Sequence, residues 1–196
     1  MIQGSELPLL SNWQNFYMIL GTAAATLTGL MFVATTLLAG IETNMPTLNA
    51  GVSAFNTPTV VHFCTVLLVA GILSAPWQAF SSIGLLLGLL GLGMVSYLII
   101  IMRRMQYIPN YQPDLHDWLW YMVFPLISYI ALIVAAVVLP SKPVMGLYVI
   151  SAAMVTLLFL GIHNAWELVT YFAVERSHSE NKSREKRRSD SSSRKK

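Results

Sequence analysis

VMGLYVISAAMVTLLFLGIHNAWELVTYFAV, from Val144 to Val174, is a run of membrane-type residues that stops being purely apolar in its second half. At about 100° of helical rotation per residue, its polar side chains fall on one arc of roughly 120°. Unpaired polar groups are costly in hydrocarbon, so this polar stripe has to face protein, water or the membrane interface. We expect it to be the functional site. The polar stripe consists of His163, Asn164, Glu167, Thr170 and Tyr171.

The composition of the whole chain is that of a membrane protein. Its 196 residues are 55% hydrophobic and only 11% charged, whereas soluble proteins have about 25% charged residues. Charge is also uneven, because residues 177–196 hold eight Lys/Arg and three Asp/Glu, while the other residues hold four and six. The single cysteine, Cys64, excludes a disulfide framework and a thiolate metal site.

Apolar segments along the chain predict an all-α polytopic integral membrane protein. About 20 apolar residues in a helix cross a hydrocarbon layer of ~30 Å. We expect a compact bundle of five transmembrane helices over residues 16–176, after a short extracytoplasmic segment at residues 1–15. The basic, Ser-rich tail at residues 177–196 has no apolar periodicity and is expected to be disordered. The predicted spans are residues 16–39, 58–75, 83–102, 118–139 and 144–173.

Prolines mark several of the predicted boundaries. Asn56 and Thr57 come before Pro58, and a capping residue followed by proline at the first helical position is a start signal. The second span is therefore expected to begin at Pro58, after a polar connection. Pro125 is expected to kink the fourth span or to begin its regular part, because a proline inside a helix removes one backbone hydrogen bond.

The distribution of Lys and Arg predicts the orientation. Five crossings put the two chain ends on opposite sides of the membrane. With the C-terminus inside, the cytoplasmic segments hold Arg103, Arg104, Arg176 and the eight cations of the tail, and the outside holds only Lys142. Eleven against one predicts the N-terminus out and the C-terminus in, by the positive-inside rule.

Small residues share one face of the first span and one face of the third. Such residues let another helix approach closely, which drives association in lipid where burial of apolar area does not. We expect these faces to pack helices and to favour a homo-oligomer or binding to another membrane protein, with a pore or ligand lining as the alternative for the first span. The candidate packing positions are Gly21, Ala25, Gly29, Gly84, Gly88 and Gly91.

The polar residues within the spans support more than one reading. His163 and Glu167 are one helical turn apart, so they could form a proton-accepting pair, or they could only orient the helix. His62 is expected at a similar depth, near the cytoplasmic boundary. His62 and His163 could be axial ligands of haem b, and together with Glu167 they could bind zinc or iron. The candidate polar cluster is His62, His163, Asn164, Glu167 and Tyr171.

Sequence motifs give an enzyme no support. The chain has no HExxH, no phosphate-binding glycine loop, no CxxC and no GxSxG. Its tail could bind anionic lipid, or nucleic acid by charge alone, or could serve only to set the topology; no specific nucleic acid is expected. The basic residues of the tail that are expected to meet lipid are Lys186, Arg187, Arg188, Arg194, Lys195 and Lys196.

Several segments resemble a family of small, uncharacterised five-helix bacterial inner-membrane proteins. The similarity covers nearly the whole body and not the tail, and it implies an inner-membrane location without a specific activity. Our first hypothesis is therefore a non-enzymatic structural, accessory or regulatory membrane component. The alternatives are a proton- or cation-linked transporter or channel using His163 and Glu167, and a haem-binding redox subunit using His62 and His163. The segments are WQNFY (13–17), GTAAATLTGLMFVATTL (21–37), TPTVVHF (57–63), SAPW (74–77), DWLW (117–120) and GIHNAWELVTY (161–171).

Overall fold

The structure, a computed structural model, describes the backbone of residues 7–39, 46–105 and 118–193 and the side chains of residues 9–37, 58–103 and 118–170. Every regular element in these ranges is a helix, and no strand occurs there, in agreement with the all-α prediction. The elements are α1 (Leu7–Ala39), α2 (Pro46–Ser74), α3 (Phe80–Met105), a π-helical turn (Leu119–Val123), α4 (Phe124–Val138) and α5 (Pro143–Ser193).

The start of α2 differs from the prediction. The helix begins at Pro46, and Pro58, where the sequence analysis begins the second span, lies inside it. Proline suits the first position of a helix because its missing N–H has no partner to lose there. Pro46 supplies that start signal twelve residues earlier than Pro58.

The beginning of α4 follows from Pro125, which occupies one of its first helical positions. The turn before it is π-helical, and the N–H of Phe124 donates to the carbonyl of Leu119, five residues back. Proline removes one N–H from the helical ladder, and a wider turn next to it is one way for the backbone to adjust. The prediction that Pro125 begins the regular helix is consistent with this geometry.

The helices pack in the order α1, α2, α5, α4, α3, and α1 also contacts α5. Chain neighbours that pack together are antiparallel: for example, Gly84 of α3 meets Ala136 of α4, and Gly91 meets Ile133, so the contacts run in opposite directions along the two helices. We call the end of the bundle where α5 leaves it the tail end. Because α5 lies between α2 and α4, side chains on its two flanks face different helices.

Within the described residues, four helical segments are long and apolar enough to cross a membrane: Leu9–Leu37, Phe80–Arg103, Leu119–Val138 and Pro143–Thr170. They correspond to four of the five predicted spans. The fifth predicted span matches the apolar segment Pro58–Ser74, which is shorter than 18 residues. The chain therefore has the helices of a multi-pass membrane protein, with one segment of marginal length.

The bundle exposes large apolar side chains and buries polar ones. The buried side chains of the described residues are still mainly apolar, as in a soluble protein, but exposed apolar surface of this extent is uncommon in one. An apolar medium around the helices accounts for it. The buried polar side chains among the described residues are Thr59, His62, Thr65, Ser128, Ser151 and Asn164. Examples of exposed apolar ones are Ile19, Phe32, Leu37, Leu85, Val137 and Phe159.

Helix α5 continues into the tail as far as Ser193, whereas the sequence analysis expects a disordered segment at residues 177–196. The sequence contains no glycine or proline after Gly161, so nothing in it stops a helix that the bundle has already nucleated. Glu, Lys and Arg, which are frequent in the tail, also have good helix propensity.

Candidate polar site

The first polar group lies where α5 passes the π-helical turn, at the tail end. His163 Nε2 is 3.7 Å from Glu167 Oε1, one turn along α5, and both side chains are partly exposed. The hydroxyl of Tyr121 donates to the other carboxylate oxygen, Oε2, at 2.8 Å. We call Trp120, Tyr121, His163 and Glu167 the interface cluster.

The π-helical turn brings two consecutive aromatic residues against α5. The indole of Trp120 stacks on the imidazole of His163, with ring centroids 3.8 Å apart and planes 3° apart, while Tyr121 contacts Glu167. An i→i+5 turn rotates less per residue than an α-turn, so consecutive side chains lie closer on one side. Nothing in the sequence near Trp120 and Tyr121 indicates that they are partners of His163 and Glu167.

The interface cluster can hold a proton or a monovalent cation. Glu167 offers two carboxylate oxygens, of which one accepts from a phenol and the other lies near an imidazole. Histidine is the side chain best suited to exchange a proton near neutral pH. A multidentate metal site has less support, since no three His, Cys, Asp or Glu side chains cluster within the described part of the chain.

The second polar group surrounds His62, which is completely buried in the middle of α2. Its Nδ1 lies 2.7 Å from the hydroxyl of Tyr129 on α4. Thr65, one turn further along α2, also interacts with that hydroxyl and donates its own proton to the carbonyl of Val61 at 2.8 Å. The other nitrogen of the ring, Nε2, has no hydrogen-bond partner among the described residues.

Asn164 is the third polar feature and the most isolated. It is only 1% exposed. Neither its Oδ1 nor its Nδ2 has a hydrogen-bond partner within residues 9–37, 58–103 and 118–170. Buried polar atoms are hydrogen-bonded in most proteins, and each exception calls for an explanation.

The structure divides the polar stripe that opened the sequence analysis. His163 and Glu167 face the π-helical turn, whereas Asn164 points into the bundle. Thr170 is exposed and donates to the carbonyls of Trp166 and Glu167, so its hydroxyl serves its own helix. An arc of about 120° is wide enough to touch two neighbouring helices. The residues of the polar stripe therefore lie in two different environments.

The two candidate haem ligands contact different turns of α4 and its extension. The Nδ1 of His62 is engaged by the hydroxyl of Tyr129, whereas His163 stacks on Trp120 and lies beside Glu167. Axial ligation requires both imidazole nitrogens at one iron. These contacts do not bring the two rings to one iron, so the arrangement does not fit haem held between His62 and His163.

The predicted glycine positions fall into two groups. In α3, a Cβ added at Gly84 would lie 2.6 Å from the carbonyl oxygen of Ala136, and one added at Gly91 would lie 2.7 Å from Cγ1 of Ile133. Gly88 makes an ordinary contact with Ala136, and Gly21 of α1 packs tightly on Ala70 of α2. These positions allow two helix backbones to approach closely.

Two predicted packing positions have no such role within the single chain. Ala25 and Gly29 of α1 are exposed, and a Cβ added at Gly29 would have nothing within 4 Å. The face of α1 that packs on the bundle is instead centred on Tyr17 and Ala24, which are completely buried. The predicted face was rotated away from the packed one because small residues occur on both sides of α1.

Some predicted residues lie outside the described side chains. They are Tyr171, Lys186, Arg187, Arg188, Arg194, Lys195 and Lys196. Conversely, sequence reasoning missed Tyr129 and Tyr17. Each is a completely buried tyrosine in an apolar span, and its hydroxyl bonds to another helix. A phenol far from the ends of a span needs a hydrogen-bond partner, and that is the signal that could have found Tyr129. Tyr17 is the second residue of the predicted span 16–39, where a phenol carries no such signal.

The chain matches no family model, no curated protein and no solved structure.

Proposed function

We propose that this chain is a non-enzymatic accessory or regulatory component of the bacterial inner membrane that binds a second copy of itself through α1. The observation that carries the proposal is the exposed Gly29, around which an added Cβ would meet open space. Glycine weakens a helix, and contact with lipid does not require it. Close approach of another helix does require a small residue at the contact.

The residues around Gly29 form a continuous docking surface. Thr22, Ala25 and Thr26 are small and exposed, and with Gly29 they lie on one side of α1 by helical rotation. We call these four residues the small face. The hydroxyl of Thr26 donates to the carbonyl of Thr22 at 2.9 Å, so this hydroxyl is already satisfied and can be buried against a second helix without a polar penalty.

The proposal includes five crossings, with the N-terminus out and the C-terminus in. The alternation of packed helices supports it, because antiparallel chain neighbours place the start of α1 and the end of α5 at opposite ends of the bundle. The excess of Lys and Arg at the tail end supports the same orientation. The tail then meets the cytoplasmic leaflet, where anionic lipid attracts basic residues by about 1 kcal/mol each.

Disulfide crosslinking in native membranes tests the docking surface. In a Cys64→Ala background, oxidation of Ala25→Cys and Gly29→Cys variants should give a dimer. Val137→Cys, which is 75% exposed on α4, is the control for random collision. If Val137→Cys crosslinks as well as the two α1 positions, then α1 is not the interface.

Bulky substitution provides the complementary test. Gly29→Ile should abolish the dimer, because a branched side chain in the small face keeps the two backbones apart. Gly93→Ile is the matched control: Gly93 is exposed and equally open, but its neighbour one turn earlier, Leu89, is large and exposed. A dimer that survives Gly29→Ile and is lost in Gly93→Ile would move the interface to α3.

The second candidate function is proton- or cation-linked transport through the interface cluster. It is favoured by the paired contacts of Glu167 with Tyr121 and His163 at the tail end. Proton and cation fluxes in proteoliposomes should then fall in Glu167→Gln and in His163→Ala. Flux that is the same in both variants and in the wild-type protein removes this candidate.

A further inference from the structure

The orientation of Asn164 on α5 is defined by its neighbours on either side. Gly161 packs on the ring of Phe63 in α2, and Glu167 bonds to Tyr121 beside α4. Asn164 is three residues from each of them, so its side chain is rotated by about 60° from both. It therefore points into the seam between α2 and α4, where it is 1% exposed.

His62 enters the same seam from α2 at the same depth. It bridges from α2 to α4 through the hydroxyl of Tyr129. The residue after it, Phe63, packs against Gly161 and belongs to the same buried cluster as Leu168. Asn164 lies between those two positions on α5, so the depth of Phe63 is also the depth of the Asn164 carboxamide.

Three buried polar atoms in this seam lack partners among the described residues: His62 Nε2, Asn164 Oδ1 and Asn164 Nδ2. They come from two helices and include an acceptor, a donor and a ring nitrogen whose role depends on the tautomer. A polar atom left unsatisfied at membrane depth is costly. This arrangement is that of a buried site that binds a small polar molecule.

We propose that His62 and Asn164 hold an internal water molecule that bridges α2 and α5. Water both donates and accepts, so it can donate to Asn164 Oδ1, accept from Nδ2 and complement His62 Nε2 in either tautomer. A charged ligand is disfavoured. Among the described side chains, Glu167 is the only acidic group near this depth, and it is already engaged with Tyr121 beside α4. The site lies inside one chain, so it is independent of docking at the small face.

Solid-state NMR of the full chain in lipid bilayers tests this hydration site. With ¹⁵N-labelled histidine, magnetisation from water should reach the Nε2 of His62, and a His62→Phe variant identifies its signal among the four histidines. Asn164→Leu keeps the size of the side chain and removes its hydrogen-bonding groups. It removes both proposed hydrogen bonds between the carboxamide and the water, so it should reduce the transfer by more than the factor of about ten that corresponds to one hydrogen bond.

Two controls make the outcome specific. Asn164→Ser keeps a polar group and should retain the transfer, whereas Ser151→Ala changes a buried polar residue near the opposite end of the bundle and should leave it unchanged. Absence of transfer to His62 in the wild-type protein overturns the proposal, and that measurement does not depend on whether any variant folds. Equal transfer in Asn164→Leu and the wild-type protein overturns the role of Asn164.

Discussion

A pair of glycines in α3 allows a direct test of how the helices pack. An alanine Cβ at Gly84 would lie 2.6 Å from the carbonyl oxygen of Ala136 in α4, whereas one at Gly93 would have nothing within 4 Å. The two positions are on the same helix and can carry the same substitution. Gly84→Ala and Gly93→Ala therefore differ in the contact with α4 and share the change in helix propensity.

The expected magnitudes follow from two opposing terms. Replacing glycine by alanine favours a helix by about 1 kcal/mol, so Gly93→Ala should stabilise the protein by that amount. At Gly84, ordinary contact begins at 3.4 Å, so the Cβ is 0.8 Å too close to a backbone oxygen that has no rotamer to change. Overpacking of this kind costs about 1–3 kcal/mol. Gly84→Ala should thus range from neutral to about 2 kcal/mol less stable.

Reversible unfolding in mixed micelles, followed by the fluorescence of the five tryptophans, measures both variants. The free energy of unfolding of Gly84→Ala should be lower than that of Gly93→Ala by about 1–3 kcal/mol. Equal stability of the two variants would refute the close approach of α3 and α4. A less stable Gly93→Ala would show that α3 is covered on the side that is open in the single chain.

Three further predictions concern hydrogen bonds and topology. Tyr129→Phe should lower the free energy of unfolding by about 1–3 kcal/mol, because it leaves a buried His62 nitrogen without its partner. If Tyr148→Phe, at an exposed tyrosine, lowered the free energy of unfolding equally, loss of that hydrogen bond would not be the cause. The hydroxyls of Tyr17 and Ser151 lie within hydrogen-bond distance of one another and of the Leu147 carbonyl, and their two protons are shared among these three contacts. The double variant Tyr17→Phe/Ser151→Ala should therefore lose less stability than the sum of the single variants; strict additivity would count against a shared network. Reporters fused to the two termini should lie on opposite sides of the membrane, and the same compartment for both would rule out five crossings.

Much of the helical organisation could be predicted because it depends on local chemistry. The third span carries glycines at positions 84, 88 and 91, one face of a helix, and that face is the one that packs on α4. The start of α4 next to Pro125 also follows from residues close in sequence. In both cases the physical cause lies within a few residues of its effect, where periodicity and turn chemistry are informative.

The contents of the site could not be predicted because they depend on which helices are neighbours. Nothing local to His62 indicates that Tyr129, 67 residues away, supplies its hydrogen bond. The same limit explains why His163 and Asn164, adjacent in sequence, serve different partners. Helical rotation predicts which side chains share an arc, but the helices that flank α5 decide what each part of the arc meets.

The π-helical turn between Leu119 and Val123 amounts to one surplus residue in the helical register of this segment. Deleting a single residue there would restore the ordinary ladder and turn the chain before Pro125 by about 100° relative to α5. Trp120 and Tyr121 would then swing away from His163 and Glu167, although no side chain of the interface cluster had been altered. The positions of Trp120 and Tyr121 thus depend on the number of residues in the π-helical turn. Insertions or deletions in this segment are the changes to which their contacts are most sensitive.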